Sequence, residues 1–300
     1  MYTSIFKLFK IGIGPSSSHT IGPLIASNYF INELKLSRIK INSLKIQIYG
    51  SLAYTGKGHG TDLGILAGLM GYTPQNIKID DIRSLSNKVK ASKELAIPSF
   101  KYSINFDFEK DIVLNFKNKK NHKHTNAIEF KGYMNNKLLK SKLYYSIGGG
   151  FVTDGNKKIN KPIAVPNDFK SAKDLLQICK TKNKYIYELI IENEKELQDT
   201  TNEKLTNNIL HIWKTMNKSI YNGMQSHGIL SGNLKIKRRA NSLYKKLIKN
   251  KKSYDPLDVL DWVNVFAIAV SEENASFGKI VTAPTNGASG IIPAVIKYYI

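Results

Sequence analysis

Apolar residues recur at helical spacing over 20–36 (Ile21, Leu24, Ile25, Phe30, Ile31 and Leu34), which predicts an amphipathic helix. The next segment changes period. Leu44-Lys45-Ile46-Gln47-Ile48-Tyr49 alternates as a strand does when successive side chains face opposite ways. A glycine-rich turn follows, and beyond it the pattern predicts a helix over 62–70, capped by Thr61 and stopped by Gly71. Strands are expected over 102–108, 127–133 and 143–147, and the polar, lysine-rich stretch 116–126 reads as a hairpin loop. This mixture predicts an α/β N-terminal lobe over 1–160.

The texture changes at Gly148-Gly149-Gly150 and the polar segment 153–161. From Ser171 onward helical periods dominate, with helices expected over 171–180, 185–197, 202–226, 238–250 and 255–273. Pro256 sits at the start of the last, where its missing N–H costs nothing. An all-α catalytic lobe over 171–300 is therefore expected, with the boundary near 155–170. The apolar run from Gly290 to Ile300 reads as the first turns of a core helix, so that lobe is expected to be truncated.

Composition narrows the class. Three hundred residues with 42% apolar and 10% aromatic content belong to a globular chain rather than a disordered one. No stretch approaches the ~20 consecutive apolar residues of a membrane helix, and Lys7 and Lys10 interrupt the N-terminal apolar segment, which argues against a signal peptide. Cys179 is the one cysteine, so the chain forms no internal disulfide and binds no metal through several thiolates; a cytoplasmic location fits. The net charge of +22 raises the question of nucleic acid. The lysines are dispersed, however, and arginines are few (Arg38, Arg83, Arg238, Arg239). The densest run, from Lys235 to Lys252, has little aromatic interleaving, so neither a nucleic-acid nor a membrane partner is expected.

Candidate chemistry gathers in three places. Gly12-Ile13-Gly14-Pro15-Ser16-Ser17-Ser18-His19-Thr20 stacks hydroxyls at the mouth of the first helix, where unpaired N–H donors favour a carboxylate or phosphate, and His19 adds a proton-active group. One serine would be an ordinary cap; this run beside a histidine exceeds what capping requires. Tyr49-Gly50-Ser51-Leu52 through Thr55-Gly56-Lys57-Gly58-His59-Gly60 lies between strand and helix, where α/β proteins place ligand loops. It is not a phosphate loop of GxxxxGK[ST] spacing, and reads either as a plain connection or as a site for Lys57 and His59. Glu272-Glu273-Asn274-Ala275 and Pro284-Thr285-Asn286-Gly287 put amides and hydroxyls at helix ends, as ordinary capping also would. His122-Lys123-His124 reads as a solvated loop, Cys179 as a small core residue, and His211 and Trp213 as packing.

These segments occur in one order over nearly the whole chain. With Tyr144-Tyr145-Ser146-Ile147-Gly148-Gly149-Gly150-Phe151, Arg238-Arg239-Ala240, Asp261-Trp262-Val263-Asn264 and Thr282-Ala283-Pro284-Thr285-Asn286-Gly287-Ala288, the chain resembles the single-chain bacterial iron–sulfur L-serine dehydratases (L-serine ammonia-lyases). The resemblance implies deamination of L-serine to pyruvate and ammonia, a step of amino-acid degradation that feeds gluconeogenesis. It implies no pyridoxal phosphate, and a [4Fe-4S] cluster acting as a Lewis acid on the hydroxyl leaving group while a base removes the α-proton. Mapped here, Ser16, Ser17, His19 and Thr20 would grip the substrate, with His59 as base and Lys57 assisting. Asn274, Thr285 and Asn286 would complete the pocket, and Arg238 and Arg239 would orient a carboxylate. The family's cluster-ligating cysteines would follow residue 300, so no metal ligand is assigned in this chain, and Ser289 stands where relatives commonly carry cysteine. The resemblance thus leaves room for a completing C-terminal chain and a homodimer as partners. The rival readings are a decayed relative without activity and an amino-acid-binding module.

Overall fold

The computed structural model describes residues 2–116, 123–155, 164–230, 234–249 and 258–300. His122, Pro256, and the parts of the expected loops and helices over 117–122, 156–161 and 250–257 lie outside the described residues.

The chain starts with a single helical turn, α1 (Ile5–Leu8), and a short strand, β1 (Lys10–Ile13). The expected first helix begins as a π-helical turn, Ser17–Ile21, and continues as α2 (Gly22–Leu36), with Pro23 in its first turn. The alternating segment is β2 (Ser43–Gly50), followed by α3 (Ser51–Thr55) and α4 (Thr61–Leu69). Next come α5 (Ile79–Ser92), β3 (Glu94–Ile97), β4 (Tyr102–Asn105), β5 (Ile112–Asn115), β6 (Asn126–Met134), β7 (Lys137–Ser146) and β8 (Val152–Thr153). Among the described residues β2 to β8 form one mixed sheet in the order β3-β4-β2-β6-β7-β8, with β5 also on β2, and β1 stands apart from it.

Helices α2 and α4 cover one face of this sheet. Leu24, Phe30, Leu34, Ile65 and Leu66 pack there on Leu44, Ile46, Ile48, Ile128 and Phe130, and the Phe30 and Phe130 rings stack at 5.1 Å. The apolar positions that set the helical and strand periods are those that meet, which makes burial the reason for both elements. The other face is largely polar, and the Tyr49 hydroxyl there donates to Glu129 at 2.7 Å.

Two local expectations are corrected. The strands flanking 116–126, β5 and β6, do not pair with each other as a hairpin would require. Ile46 pairs with Ile112 of β5 and also with Phe130 of β6, so these strands lie on opposite edges of β2. Nor does Thr61 cap α4. Gly60, in the left-handed region at φ 60°, is the capping residue, and the Thr61 hydroxyl donates to the carbonyl of His19 instead.

Beyond residue 164 the described chain is mainly helical: α6 (Ala172–Lys182), α7 (Ile186–Gln198), α8 (Asn202–Gln225), α9 (Ala240–Lys249) and α10 (Asp258–Ala275). The strand β9 (Lys279–Thr282) and α11 (Ile291–Tyr299) follow. Ile220 and Met224 of α8, Val265, Phe266, Ala269 and Val270 of α10, Ile280 of β9 and Ala294 of α11 form the second core. The α/β region followed by helices is the expected fold class. No helix among the described residues is long and apolar enough to cross a membrane.

The two halves are joined at their roots. Strand β9 pairs antiparallel with β1, Lys10 opposite Thr282 and Ile13 opposite Lys279. Nearby, fully buried Glu194 of α7 accepts hydrogen bonds from the Tyr2 and Ser4 hydroxyls and the Ile5 amide.

Candidate active site

Strand β1 delivers Gly14 and Pro15 to the mouth of α2. Ser16 is extended at φ −139°, and its side chain accepts from the His19 amide at 3.0 Å, so the cap that sequence suggests is present. Its hydroxyl also lies 3.4 Å from that of Ser18. Ser17 is buried, and its carbonyl accepts from Gly22 N where the π turn becomes α-helix. A π turn places successive amides and side chains on a wider ring than an α-helix and is often found at functional positions.

His19 is half-buried, with both ring nitrogens in contact with hydroxyls: Nδ1 at 2.8 Å from Ser18 Oγ and Nε2 at 3.1 Å from Ser51 Oγ. Its ring centroid stands 5.0 Å from that of His59. Burial, then the neighbouring His59, holds the His19 pKa below the ordinary histidine value, so the imidazole is neutral at pH 7. His59 Nδ1 lies 2.9 Å from the Thr55 carbonyl. A carbonyl only accepts, so Nδ1 is the donor in this contact and Nε2 is the ring nitrogen not used in it.

The histidines are fixed through their backbones. Thr20 Oγ1 donates to the His59 carbonyl at 2.7 Å, and Thr61 Oγ1 donates to the His19 carbonyl at 2.5 Å. Ser146 Oγ donates to the Ser18 carbonyl at 2.8 Å, tying the loop to the end of β7.

The helical half closes the loop from behind. Asn274 Nδ2 donates to the Pro15 carbonyl at 3.1 Å, and Asn286 Nδ2 donates to the Ile13 carbonyl at 3.0 Å and to Asn274 Oδ1 at 3.2 Å. Gly14 fits here because its backbone runs against Asn274. An added Cβ would lie 1.7 Å from the Asn274 carbonyl oxygen.

The structure thus brings Ser16, Ser17, His19, Thr20, His59, Asn274 and Asn286 into one cluster. The others are placed differently. Lys57 is exposed and lines clefts with Asp62 and Lys90. Thr285 is exposed, its hydroxyl accepting from Ala288 N at 3.3 Å. Arg238 pairs with Glu273 at 3.1 Å and donates to Ser276 at 2.7 Å, in a cavity of about 670 Å³ shared with Arg83 and His227. Arg239 is an exposed side chain whose amide donates to Glu272 at 2.6 Å, at the start of α9.

Ser18, Ser51 and Thr55 belong to the cluster without having been singled out individually, and Thr61, expected only as a helix cap, belongs to it as well. Ser18 was legible as part of the hydroxyl run. Ser51 and Thr55 lie in the second glycine-rich segment, and only the fold reveals which ring each one meets.

Among the described residues no group of three His, Cys, Asp or Glu side chains could hold a metal ion. Cys179, the one thiol, is on α6, which packs on α7. These residues do not fit a three-cysteine cluster.

An α/β lobe and a helical lobe that clamp two facing imidazoles beside a hydroxyl-rich helix mouth suit proton transfer on a small anionic substrate. Comparison with known proteins narrows this. Residues 4–157 match the serine dehydratase beta chain and residues 181–300 the serine dehydratase alpha chain. L-serine dehydratase 1 of Escherichia coli (strain K12) is 40% identical over 303 residues, which cover 99% of this chain and 66% of that protein. L-serine dehydratase of Haemophilus influenzae is 42% identical over 302 residues, with the same coverage. That of Streptomyces coelicolor is 36% identical over 308 residues, covering 100% of this chain and 66% of the relative. The chain belongs to the serine dehydratase family, and it spans 66% of the length of these relatives.

Proposed function

We propose that the chain acts in the deamination of L-serine to pyruvate and ammonia, with the His19–His59 cluster as the place where substrate is held and a proton is removed. The observation that carries this reading is the pairing of a neutral His19 with a His59 whose Nε2 is not used in the contact with Thr55. Family membership supplies the substrate class: the named relatives are L-serine dehydratases.

In this reading the hydroxyls of Ser16 and Ser18 and the amides at the mouth of α2 receive the substrate carboxylate. His59 Nε2 takes the α-proton and returns it to the departing β-hydroxyl, which leaves as water; the enamine left behind tautomerises to an imine that water hydrolyses to pyruvate and ammonia. Neutral His19, close to His59, receives hydrogen bonds or passes them to Ser51 and Ser18 without adding a repelling charge. Asn274 and Asn286 keep the serine loop in place by holding the carbonyls on either side of Gly14. The [4Fe-4S] cluster that the family resemblance implies would need ligands other than the described residues and would supply a Lewis acid for the leaving hydroxyl; no step here is routed through it. A reducing, cytoplasmic setting suits a chain with one thiol.

A second reading is an amino-acid-binding module that uses the hydroxyl-rich loop 16–20 at the mouth of α2 as an anion site. One experiment separates the two. The chain is purified anaerobically with iron and sulfide, and pyruvate formation from L-serine is followed beside calorimetric binding of L-serine. Turnover supports the lyase; saturable binding without turnover supports the module; neither one sinks both.

A further inference from the structure

On the other side of α2 lies a cavity of about 740 Å³ with a composition of its own. Its apolar walls include Ile21, Ile25, Met70 and Phe151, and its polar lining includes Asn32 and Gln75, yet among the described residues no Asp or Glu lines it. Lys10 is the one charged lining residue among them. Its ammonium donates to the Gly149 carbonyl at 2.9 Å and sits 3.2 Å from the centroid of the Phe151 ring. Both contacts are electron-rich, but neither carries a formal negative charge. Glu33, one turn along α2 from Tyr29, is held by Lys140 at 2.7 Å.

A half-buried cation facing an acid-free cavity is unfavourable unless an anion can enter. Burial and the neighbouring Lys7 hold the Lys10 pKa below its ordinary value, as expected of a cation lacking a counter-ion. The volume matches that of small-molecule sites. The segment 144–151 quoted for the family resemblance reaches this cavity through Gly149 and Phe151, while its Ser146 holds the Ser18 carbonyl beside the histidine pair.

We propose that this cavity is a second ligand site, taking a small monocarboxylate with an apolar body and using Lys10 as its counter-ion. The site is connected to the candidate active site by covalent structure. Lys10 opens β1, whose other end at Ile13 leads into Gly14 and Ser16, and Ile21 closes the π turn that carries His19. Three strand residues span about 10 Å, so the two sites are neighbours that share a strand and a helix without sharing the histidines. Occupancy at Lys10 thus bears directly on the serine loop.

The test uses the chain itself and four probes: propionate, isovalerate, hexanoate and phenylacetate, each beside its neutral amide. Binding is measured by calorimetry and by the rise in unfolding temperature. At least one carboxylate is expected to bind saturably and about tenfold more tightly than its amide, the difference a charge-assisted contact supplies. Lys10→Met is expected to erase that preference and Lys10→Arg to keep most of it. The proposal is overturned if no carboxylate of the series binds, if amide and acid bind equally, or if the preference survives Lys10→Met. The acid-against-amide comparison on the unaltered chain decides the matter even where a variant folds poorly. Failure here leaves the serine reading untouched, because that reading rests on binding and turnover of L-serine.

Discussion

Thr20 and Thr61 hold the two histidines by a reciprocal exchange: Thr20, next to His19, donates to the His59 carbonyl, and Thr61, two residues after His59, donates to the His19 carbonyl. Both threonines are buried. The ring-to-ring distance of 5.0 Å is therefore set by backbone anchors, leaving the imidazoles free to make and break hydrogen bonds.

Replacing either threonine by valine keeps the shape, removes the donor and leaves a carbonyl without its partner. Each variant is expected to lose about 1–3 kcal/mol of stability. The double variant is expected to lose less than the sum, since both bonds join the same two loops. Urea unfolding of the four proteins checks both statements, and additive losses would mean the two bonds act independently.

The neutral state of His19 has a pH consequence. Its folded pKa lies below the ordinary value, lowered first by burial and then by His59, whereas an unfolded histidine takes up its proton near pH ~6.5. Between those two values the unfolded chain holds more protons. Stability from this group is thus full above the unfolded pKa, falls as pH drops, and levels off once the folded imidazole also protonates. Urea midpoints at about pH 7.5 and about pH 5.5 should show a smaller fall in His19→Gln than in the unaltered chain. Equal falls would locate the pH sensitivity elsewhere.

Residues with a strong period were legible before the fold was known. Leu24, Phe30 and Leu34 mark α2, and Leu44, Ile46 and Ile48 mark β2, because burial against one another imposes the spacing. The pairing of β1 with β9 carries no such signal. Each is four residues long, and Thr282 and Lys10 are 272 positions apart. The hydroxyl of Thr61 looked like a cap because Thr is a common N-cap, yet the left-handed Gly60 takes that role and frees the hydroxyl for His19. Arg238 shows the opposite limit. A basic residue within a family-like segment invites a substrate role, while Glu273 and Ser276 already hold its guanidinium.

Gly14 is the narrowest point between the halves. Gly14→Ala would drive a methyl group to 1.7 Å from a backbone oxygen that cannot swing aside. A loss of about 3 kcal/mol or more is expected, at or above the upper end of ordinary overpacking. Hydrogen exchange should quicken at Gly14, whose amide donates to the Gly278 carbonyl at 3.1 Å, before it quickens in the sheet of the first lobe. Uniform protection with unchanged stability would mean that the two halves can separate here at no cost.

The assignment of His59 as base makes a demand that a merely structural histidine would not meet. His59→Asn retains a side-chain amide at the Nδ1 position, able to donate to the Thr55 carbonyl, while lacking the basic Nε2. In a catalytically competent preparation it is expected to lower kcat by at least about a hundredfold, the usual contribution of a general base, with the dissociation constant for L-serine changed only a few-fold. His59→Ala should match it in kcat with little change in stability, because the exposed Thr55 carbonyl still accepts from the His59 amide at 3.3 Å. Near-normal turnover in His59→Asn would remove His59 from proton abstraction and leave His19, the other imidazole of the pair, as the base to test next.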